Sequence, residues 1–201
     1  DHYQRFIPQE SVAYKNGFLK KPVVNIWALK IQEMIEQKLP DYQFPQRKYK
    51  FITTIDVDNA YAYLEKGFVR TLGAIARSLL QLNLGDLVKR IKCLINIEKD
   101  PFDTFDVQLE IQKKYGLKAI YFFLVADYGL NDKNVPVTSR KFQALIKHIG
   151  DYAEIGIHPS FASNEEPEKF RIEIKRLSGV VHHDINHSRQ HFLKLTLPDT
   201  Y

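Results

Sequence analysis

Two carboxylates lie two residues apart at the end of a β-rich segment. The run 51–58, FITTIDVD, ends in Asp56 and Asp58. In an extended chain both side chains point to the same face, where two carboxylates repel each other unless a cation joins them. A divalent metal would bind one acid while the other accepts a proton from a water on the metal. The alternative is that Asp58 and Asn59 only form a polar turn after the strand.

A histidine follows a second predicted strand. His158 comes directly after the segment 154–157, EIGI, and directly before Pro159. Because proline favours an extended conformation in the residue that precedes it, His158 is expected at the last position of the strand. Imidazole is a common metal ligand. The alternative is a polar side chain bonded to a loop.

The third candidate is the run 187–191, HSRQH. If this run is extended, His187, Arg189 and His191 share one face. Two imidazoles and a guanidinium on one face suit a metal ligand together with a cation that steadies a carboxylate or a developing oxyanion. A solvated edge strand would show the same pattern.

The order of the predicted elements is expected to bring these groups together. Strands are predicted at 51–58, 117–125 and 154–157, one or two extended segments at 180–195, and helices at 23–39, 103–115, 138–149 and 165–177. Four strands that alternate with helices predict a parallel sheet with right-handed crossovers. In such sheets the reactive groups gather at the carboxyl ends of the strands.

Composition excludes several classes of protein. The 201 residues are 44% hydrophobic and 26% charged, which is typical of a globular domain. The longest apolar run, 119–126, has eight residues, against about 20 for a membrane-spanning helix, so no transmembrane segment is predicted. The single cysteine, Cys93, excludes an intrachain disulfide and a cysteine-based zinc cluster. With no signal segment at the start, a cytoplasmic location is predicted, and both ends look cut from a longer protein.

The net charge of +5 is mild. A basic stripe follows the predicted helical segment 61–97 and consists of Arg70, Arg77, Lys89, Arg90 and Lys92. Such stripes are usually solvated helix faces, so the sequence predicts no nucleic-acid partner.

Several segments together resemble one family. The run 53–58, TTIDVD, is similar to the first motif of the polysaccharide deacetylases, the NodB-homology carbohydrate esterases, and 154–161, EIGIHPSF, to their second motif. The runs 99–104, KDPFDT, and 188–193, SRQHFL, resemble a bacterial branch whose members often occur among surface-polysaccharide genes. The resemblance extends from about residue 50 to the end of the chain.

The resemblance implies a fold and a function. The fold would be an α/β structure of the NodB-homology type, a distorted (β/α) barrel over residues 50–201 with a helical insertion at 61–97. Only the first half of the barrel would be present, so the general acid of the family is expected beyond this chain. Residues 1–49 would form an N-terminal arm and helix. The function would be metal-dependent removal of N-acetyl groups from an amino sugar of a surface polysaccharide or its precursor, with zinc the usual metal.

The resemblance also assigns roles to residues. Asp56 would be the catalytic base, and Asp58 and His158 would be metal ligands. Arg189 would belong to the third motif, which lines the site and orients the base.

One position departs from the family pattern. The second motif usually has another histidine four residues after His158, but that position is Ala162. The third metal ligand is therefore expected to be His191. The same motif would supply substrate contacts through Ser160 and Phe161.

Two other functions remain open. Ala162 favours a catalytically inactive glycan-binding or scaffold protein of the same fold. A metal-dependent phosphoesterase would need cations near Asp58 to bind phosphate, and Arg189 is the one that the sequence pattern offers.

Overall fold

The computed structural model describes residues 6–195, which divide into one unit up to Lys50 and another from Phe51 onward. In the first unit, a 3₁₀ turn at Pro8–Glu10 and the short helix α1, Val12–Lys15, precede helix α2, Val23–Lys38. The prediction of a helix over 23–39 is confirmed. The arm expected before this helix contains the two short helical turns in its described part.

The second unit is built on three parallel strands in the order β1 (Ile52–Val57), β2 (Lys118–Phe123) and β3 (Glu154–Ile157). All three strands lie within the predicted strand segments. Val57 is paired with Phe123 and Phe123 with Ile157, so the carboxyl ends of the strands are level. The central strand is buried on both faces, as its continuous apolar sequence predicts. Among the described residues the sheet is open and does not close into a barrel.

Helices connect the strands as crossovers. Helices α3 (Phe68–Leu80), α4 (Leu84–Leu94) and α5 (Phe105–Tyr115) lie between β1 and β2, α6 (Arg140–Gly150) lies between β2 and β3, and α7 (Pro167–Val181) follows β3. The apolar face of α6 contributes Phe142, Ile146 and Ile149 to the same core cluster as the strands. Their spacing of three and four residues is that of one helix face.

The predicted fourth strand is wrong in the described part of the chain. Helix α7 continues through Gly179, which was expected to lie beyond its end, and stops at His182, which adopts a left-handed conformation with φ 61°. After it, the described chain pairs with the sheet through a single parallel backbone bridge, between Ile157 and Ser188. A 3₁₀ helix at His191–Leu193 follows, in which Phe192 has φ 60°. Positive φ at this position bends the chain away from the extended path.

A buried carboxylate joins the start of the helical insertion to the segment that follows the insertion. Asp100 accepts hydrogen bonds of 2.8–3.1 Å from the backbone N–H groups of Ala62, Tyr63 and Leu64, and one from Phe102. Burial of Asp100 disfavours its charged form, but these four donors outweigh it and hold the pKa of the carboxyl below its usual value. The segment that follows β1 is thereby fixed to the residues that precede α5.

No helix among the described residues is both long enough and apolar enough to cross a lipid bilayer.

Candidate metal centre

Three side chains converge at the carboxyl edge of the sheet. Asp58 directly follows β1, and His158 directly follows β3. His191 begins the 3₁₀ helix after the bridge to β3, and its N–H donates to the Pro159 carbonyl at 3.2 Å. The three side chains each offer one ligand atom, and these atoms lie within 4.8 Å of one another. The pairing of the strands and the loop that contains His191 therefore bring together three residues, of which Asp58 and His191 are 133 positions apart.

The closest approaches in this cluster are made through the Nε2 atoms of the two imidazoles. His158 Nε2 lies 3.1 Å from Asp58 Oδ1, and His191 Nε2 lies 3.8 Å from Asp58 Oδ2. Both histidines are buried, with 3% and 8% of their surface exposed. The Asp58 side chain is 58% exposed, so the centre is open to solvent on one side.

The other ring nitrogen of each histidine faces an acceptor. Nδ1 of His158 contacts the backbone carbonyl oxygen of Arg189, and Nδ1 of His191 lies 3.0 Å from Asp132 Oδ1. Because a carbonyl oxygen only accepts, the His158 proton belongs on Nδ1, and the carboxylate favours the same tautomer in His191. In the neutral rings, each Nε2 then presents a lone pair towards Asp58. A lone pair and a carboxylate oxygen at these distances need a proton or a metal ion between them.

The charge on Asp58 fits this arrangement. When a proton rather than a metal ion lies between them, the hydrogen bond from His158 lowers the pKa of the Asp58 carboxyl, burial opposes the shift, and the positive charges of His158 and His191 reinforce it. Asp58 is therefore ionised over the physiological pH range.

The donor set fits a divalent metal ion of the zinc type. Catalytic zinc sites commonly use three protein ligands from His and Asp or Glu and leave one position open. Ligand atoms about 2.0–2.1 Å from a tetrahedral ion lie about 3.3 Å apart. The two histidines lie 3.1 Å and 3.8 Å from different oxygens of Asp58, and one ligand atom from each residue gives a set within 4.8 Å. A histidine whose second nitrogen is bonded to a carboxylate or carbonyl is also the usual arrangement around a metal.

A second pair of predicted residues lies beside this cluster. Asp56 is two positions before Asp58 in β1, and its Oδ1 lies 3.5 Å from Arg189 Nη1. The same guanidinium donates a 2.9 Å hydrogen bond to Thr54 Oγ1. Arg189 therefore contacts the site twice, through its side chain at Asp56 and through its carbonyl at His158.

His187 does not join the centre. Its Nε2 lies 2.8 Å from Glu154 Oε2, at the first residue of β3 and thus at the opposite edge of the sheet. The expectation that His187, Arg189 and His191 share one strand face is wrong, because the run is extended for only one bridge and then turns into the 3₁₀ helix.

A cavity of about 350 Å³ opens next to the two carboxylates. Its wall combines the end of β1 with residues before and within α5; these are Ile55, Asp56, Val57, Asp58, Asn59, Pro101, Phe102, Thr104, Phe105 and Gln108. Gln108 is notable because its Oε1 is buried and has no hydrogen-bond partner among the described residues, while its Nε2 donates to Thr104 Oγ1 at 2.9 Å. The volume is within the range of small-molecule sites.

Ser160 and Phe161, which were expected to contact substrate, do not line this cavity. Ser160 is 2% exposed; its N–H donates to Glu173 Oε2 and its Oγ accepts from the N–H of Ser163, both at 3.0 Å. The N–H of Phe161 donates to Asp132 Oδ1 at 2.9 Å. These residues hold the turn that follows His158, which is a supporting role.

Two buried acids of this supporting structure were missed by the sequence reasoning. Asp132 was overlooked because it lies seven residues beyond the predicted end of the strand at residue 125. Asp127, which is nearer to that end, pairs with Arg176 at 2.8 Å instead. Glu173 looked like an ordinary residue of helix α7. Burial raises the pKa of the Glu173 carboxyl; its hydrogen bonds with Ser160 oppose the shift, and nearby Asp132 adds to it.

Comparisons with known proteins cover only the start of the chain. Residues 1–40 of the 201 match a family of unknown function (DUF7033). No curated protein and no solved structure matches the chain. The candidate centre lies outside the matched segment.

Proposed function

We propose that the unit from Phe51 onward is a metal-dependent hydrolase that removes the acetyl group from an N-acetylated amino sugar of a surface polysaccharide or its precursor. The observation that carries this proposal is the convergence of Asp58, His158 and His191 beside the Asp56–Arg189 pair. The resemblance to the polysaccharide deacetylases, and the distorted barrel that it implies, belong to the same proposal.

Asp58, His158 and His191 would hold the metal, and zinc suits two imidazoles and a carboxylate. When bound, such an ion supplies Lewis-acid polarisation of the amide carbonyl and a more acidic water. The buried histidines are oriented for this task by the Arg189 carbonyl and the Asp132 carboxylate.

Asp56 serves as the general base. Its carboxylate takes a proton from the water that adds to the carbonyl carbon, and that proton is then available to the amine when the carbon–nitrogen bond breaks. The products are acetate and the free amino sugar. Arg189 orients the Asp56 carboxylate, with Thr54 holding the guanidinium in place.

The 350 Å³ cavity provides room for one sugar residue next to these groups. Phe102 and Pro101 offer apolar surface for a sugar face, and the Gln108 amide is the polar side chain of the α5 part of this wall.

The direct test is acetate release from N-acetylglucosamine oligomers by the chain loaded with zinc. We expect acetate to accumulate in proportion to enzyme and to stop when a chelator removes the metal. His187→Ala is the matched control, because His187 is a histidine of the same segment whose side chain contacts Glu154 rather than the site. A protein that binds zinc and the oligomers but releases no acetate would instead be a glycan-binding member of the fold.

A further inference from the structure

A second and larger cavity, about 650 Å³ in volume, lies among α3, α4 and the loops that follow β1 and β2. Its wall carries five cationic side chains and one carboxylate; these are Lys66, Arg70, Arg77, Arg90, Lys133 and Asp86. Three of the five members of the basic stripe therefore line a concave site, although the sequence suggested a solvated helix face. Lys89 and Lys92 are not part of this wall.

The cavity adjoins the candidate metal centre. Asn59, which directly follows Asp58, lines both this cavity and the 350 Å³ cavity. On the other side, Lys133 directly follows Asp132, the residue that orients His191. Lys66 Nζ donates a hydrogen bond to Asn59 Oδ1. One ligand can therefore extend from the carboxylates into the basic cavity past Asn59.

Of the five cations in this cavity, only Arg90 is paired with an acid of the described residues. Asp86 accepts hydrogen bonds from Tyr63 and Ser78 and pairs with Arg90 at 3.3 Å. Between residues 6 and 195, no ion pair involves any of the other four cations, and the buried Nε of Arg90 has no partner. Arg70 is held in place by the ring of Tyr128, 4.4 Å from its guanidinium carbon.

The pKa of Lys66 responds both to burial and to the neighbouring cations. Burial and the neighbouring charge of Arg70 lower the pKa of the Lys66 ammonium to about 8. The negative charge of an anion in the cavity would oppose this shift.

We propose that this cavity binds the diphosphate of an activated amino sugar. This inference rests on the proposed function and makes the substrate of the deacetylase a sugar diphosphate precursor. Its sugar would occupy the smaller cavity, and its diphosphate would lie among Arg70, Arg77 and Arg90. A diphosphate matches an excess of cations around an open cavity of this size, since arginine forks bind phosphate oxygens in pairs. A nucleic acid would need a longer basic surface, and Lys89 and Lys92 lie outside the cavity.

The test is calorimetric titration of the full chain with inorganic pyrophosphate in the presence of EDTA, which excludes binding through the metal centre. We expect saturable binding whose affinity falls at least about tenfold in Arg70→Ala and in Arg77→Ala, because each variant loses a hydrogen bond to a charged group. Lys89→Ala is the matched control, because Lys89 is an exposed cation of α4 outside the cavity, and it should bind as the unaltered chain does. Circular dichroism establishes that each variant is folded.

Two competitors separate the sources of the diphosphate. UDP-N-acetylglucosamine represents a nucleotide sugar, and N-acetylglucosaminyl diphosphate on a short prenyl chain represents a lipid-linked sugar; displacement of pyrophosphate by either one supports the proposal. The proposal is overturned if pyrophosphate does not bind, or if Lys89→Ala weakens binding as much as Arg70→Ala and Arg77→Ala do. Tighter binding of a single-stranded oligonucleotide than of pyrophosphate also overturns it. Because the chelator is present throughout, pyrophosphate binding is measured without a metal ion. A failure of this proposal can therefore be distinguished from a failure of the proposed metal centre or of acetate release.

Discussion

Asp132 Oδ1 lies 3.0 Å from Nδ1 of His191, and this contact turns the Nε2 atom of the same ring towards Asp58. The acid is buried, and its oxygen also accepts the N–H of Phe161. The orientation of His191 therefore depends on the loop after β2, while its position depends on the chain after β3. The candidate centre is assembled by contacts among three separate loops.

Removal of Asp132 should weaken metal binding without removing a ligand. We expect Asp132→Ala to bind zinc about 10- to 100-fold less tightly, because residues that orient a metal-binding histidine typically contribute this much. Competition with a chromophoric chelator measures the affinity. Asp127→Ala is the control, since Asp127 lies in the same loop but pairs with Arg176. Unchanged affinity in Asp132→Ala would show that His191 needs no such support or is not a ligand.

Asp56 and Asp58 should behave differently although both lie at the end of β1. Asp56→Asn is expected to retain its zinc and to lose acetate release by at least about 100-fold, as for loss of a general base. Asp58→Ala should lose both, because it removes a ligand. Metal content and turnover measured on the same samples distinguish the two roles. If Asp56→Asn also lost its metal, Asp56 would be a ligand and the proposed base would be wrong.

Gln108 should affect substrate binding alone. Gln108 lines the smaller cavity, and its buried Oε1 has no hydrogen-bond partner among residues 6–195. We expect Gln108→Met, which keeps the size of the side chain, to lower kcat/KM by about tenfold, because one hydrogen bond to the substrate is lost. Its metal content should be normal. Val107→Ala, an exposed position of the same helix, is the control. Equal kinetics in Gln108→Met and Val107→Ala would place the sugar elsewhere.

Asp100 should make the fold sensitive to acid. Its lowered folded-state pKa contributes stability that is fully present above the unfolded value of about 3.9 and is lost as the pH falls through the folded value. Asp100→Asn should therefore cost about 2 kcal/mol at pH 7 and progressively less as the pH falls below about 4. Urea unfolding at a series of pH values measures the difference. Asp103→Asn is the control, because the Asp103 side chain makes a single 3.8 Å ion pair, with Lys99. A comparable loss in the free energy of unfolding of Asp103→Asn would refute the anchoring role of Asp100.

The strands of the second unit could be predicted from local sequence. An apolar run bounded by turn residues indicates β2, and the acids at the end of β1 and His158 at the end of β3 follow the strand pattern directly. Parallel pairing then places Asp58 and His158 at one edge of the sheet. These inferences need only short-range patterns and one general rule of sheet topology.

The remaining site residues depend on contacts that local sequence does not encode. His191 was expected on a strand face, yet it reaches Asp58 from a 3₁₀ helix whose Phe192 has positive φ, which the surrounding packing determines. Asp132 contacts a residue 59 positions away. Gln108 lies on an amphipathic helix, where a polar side chain normally indicates the solvent face. Each of these positions is defined by tertiary contacts rather than by periodicity.

The zinc content of the chain, purified without chelator, tests the account most directly. We predict close to one equivalent in the unaltered chain and in His187→Ala, and loss of the metal in Asp58→Ala, His158→Ala and His191→Ala. Retention of a full equivalent by His191→Ala would contradict the assignment of the third ligand. An unaltered chain that takes up no zinc or similar divalent ion, even after incubation with it, would contradict the metal centre and the hydrolase built on it.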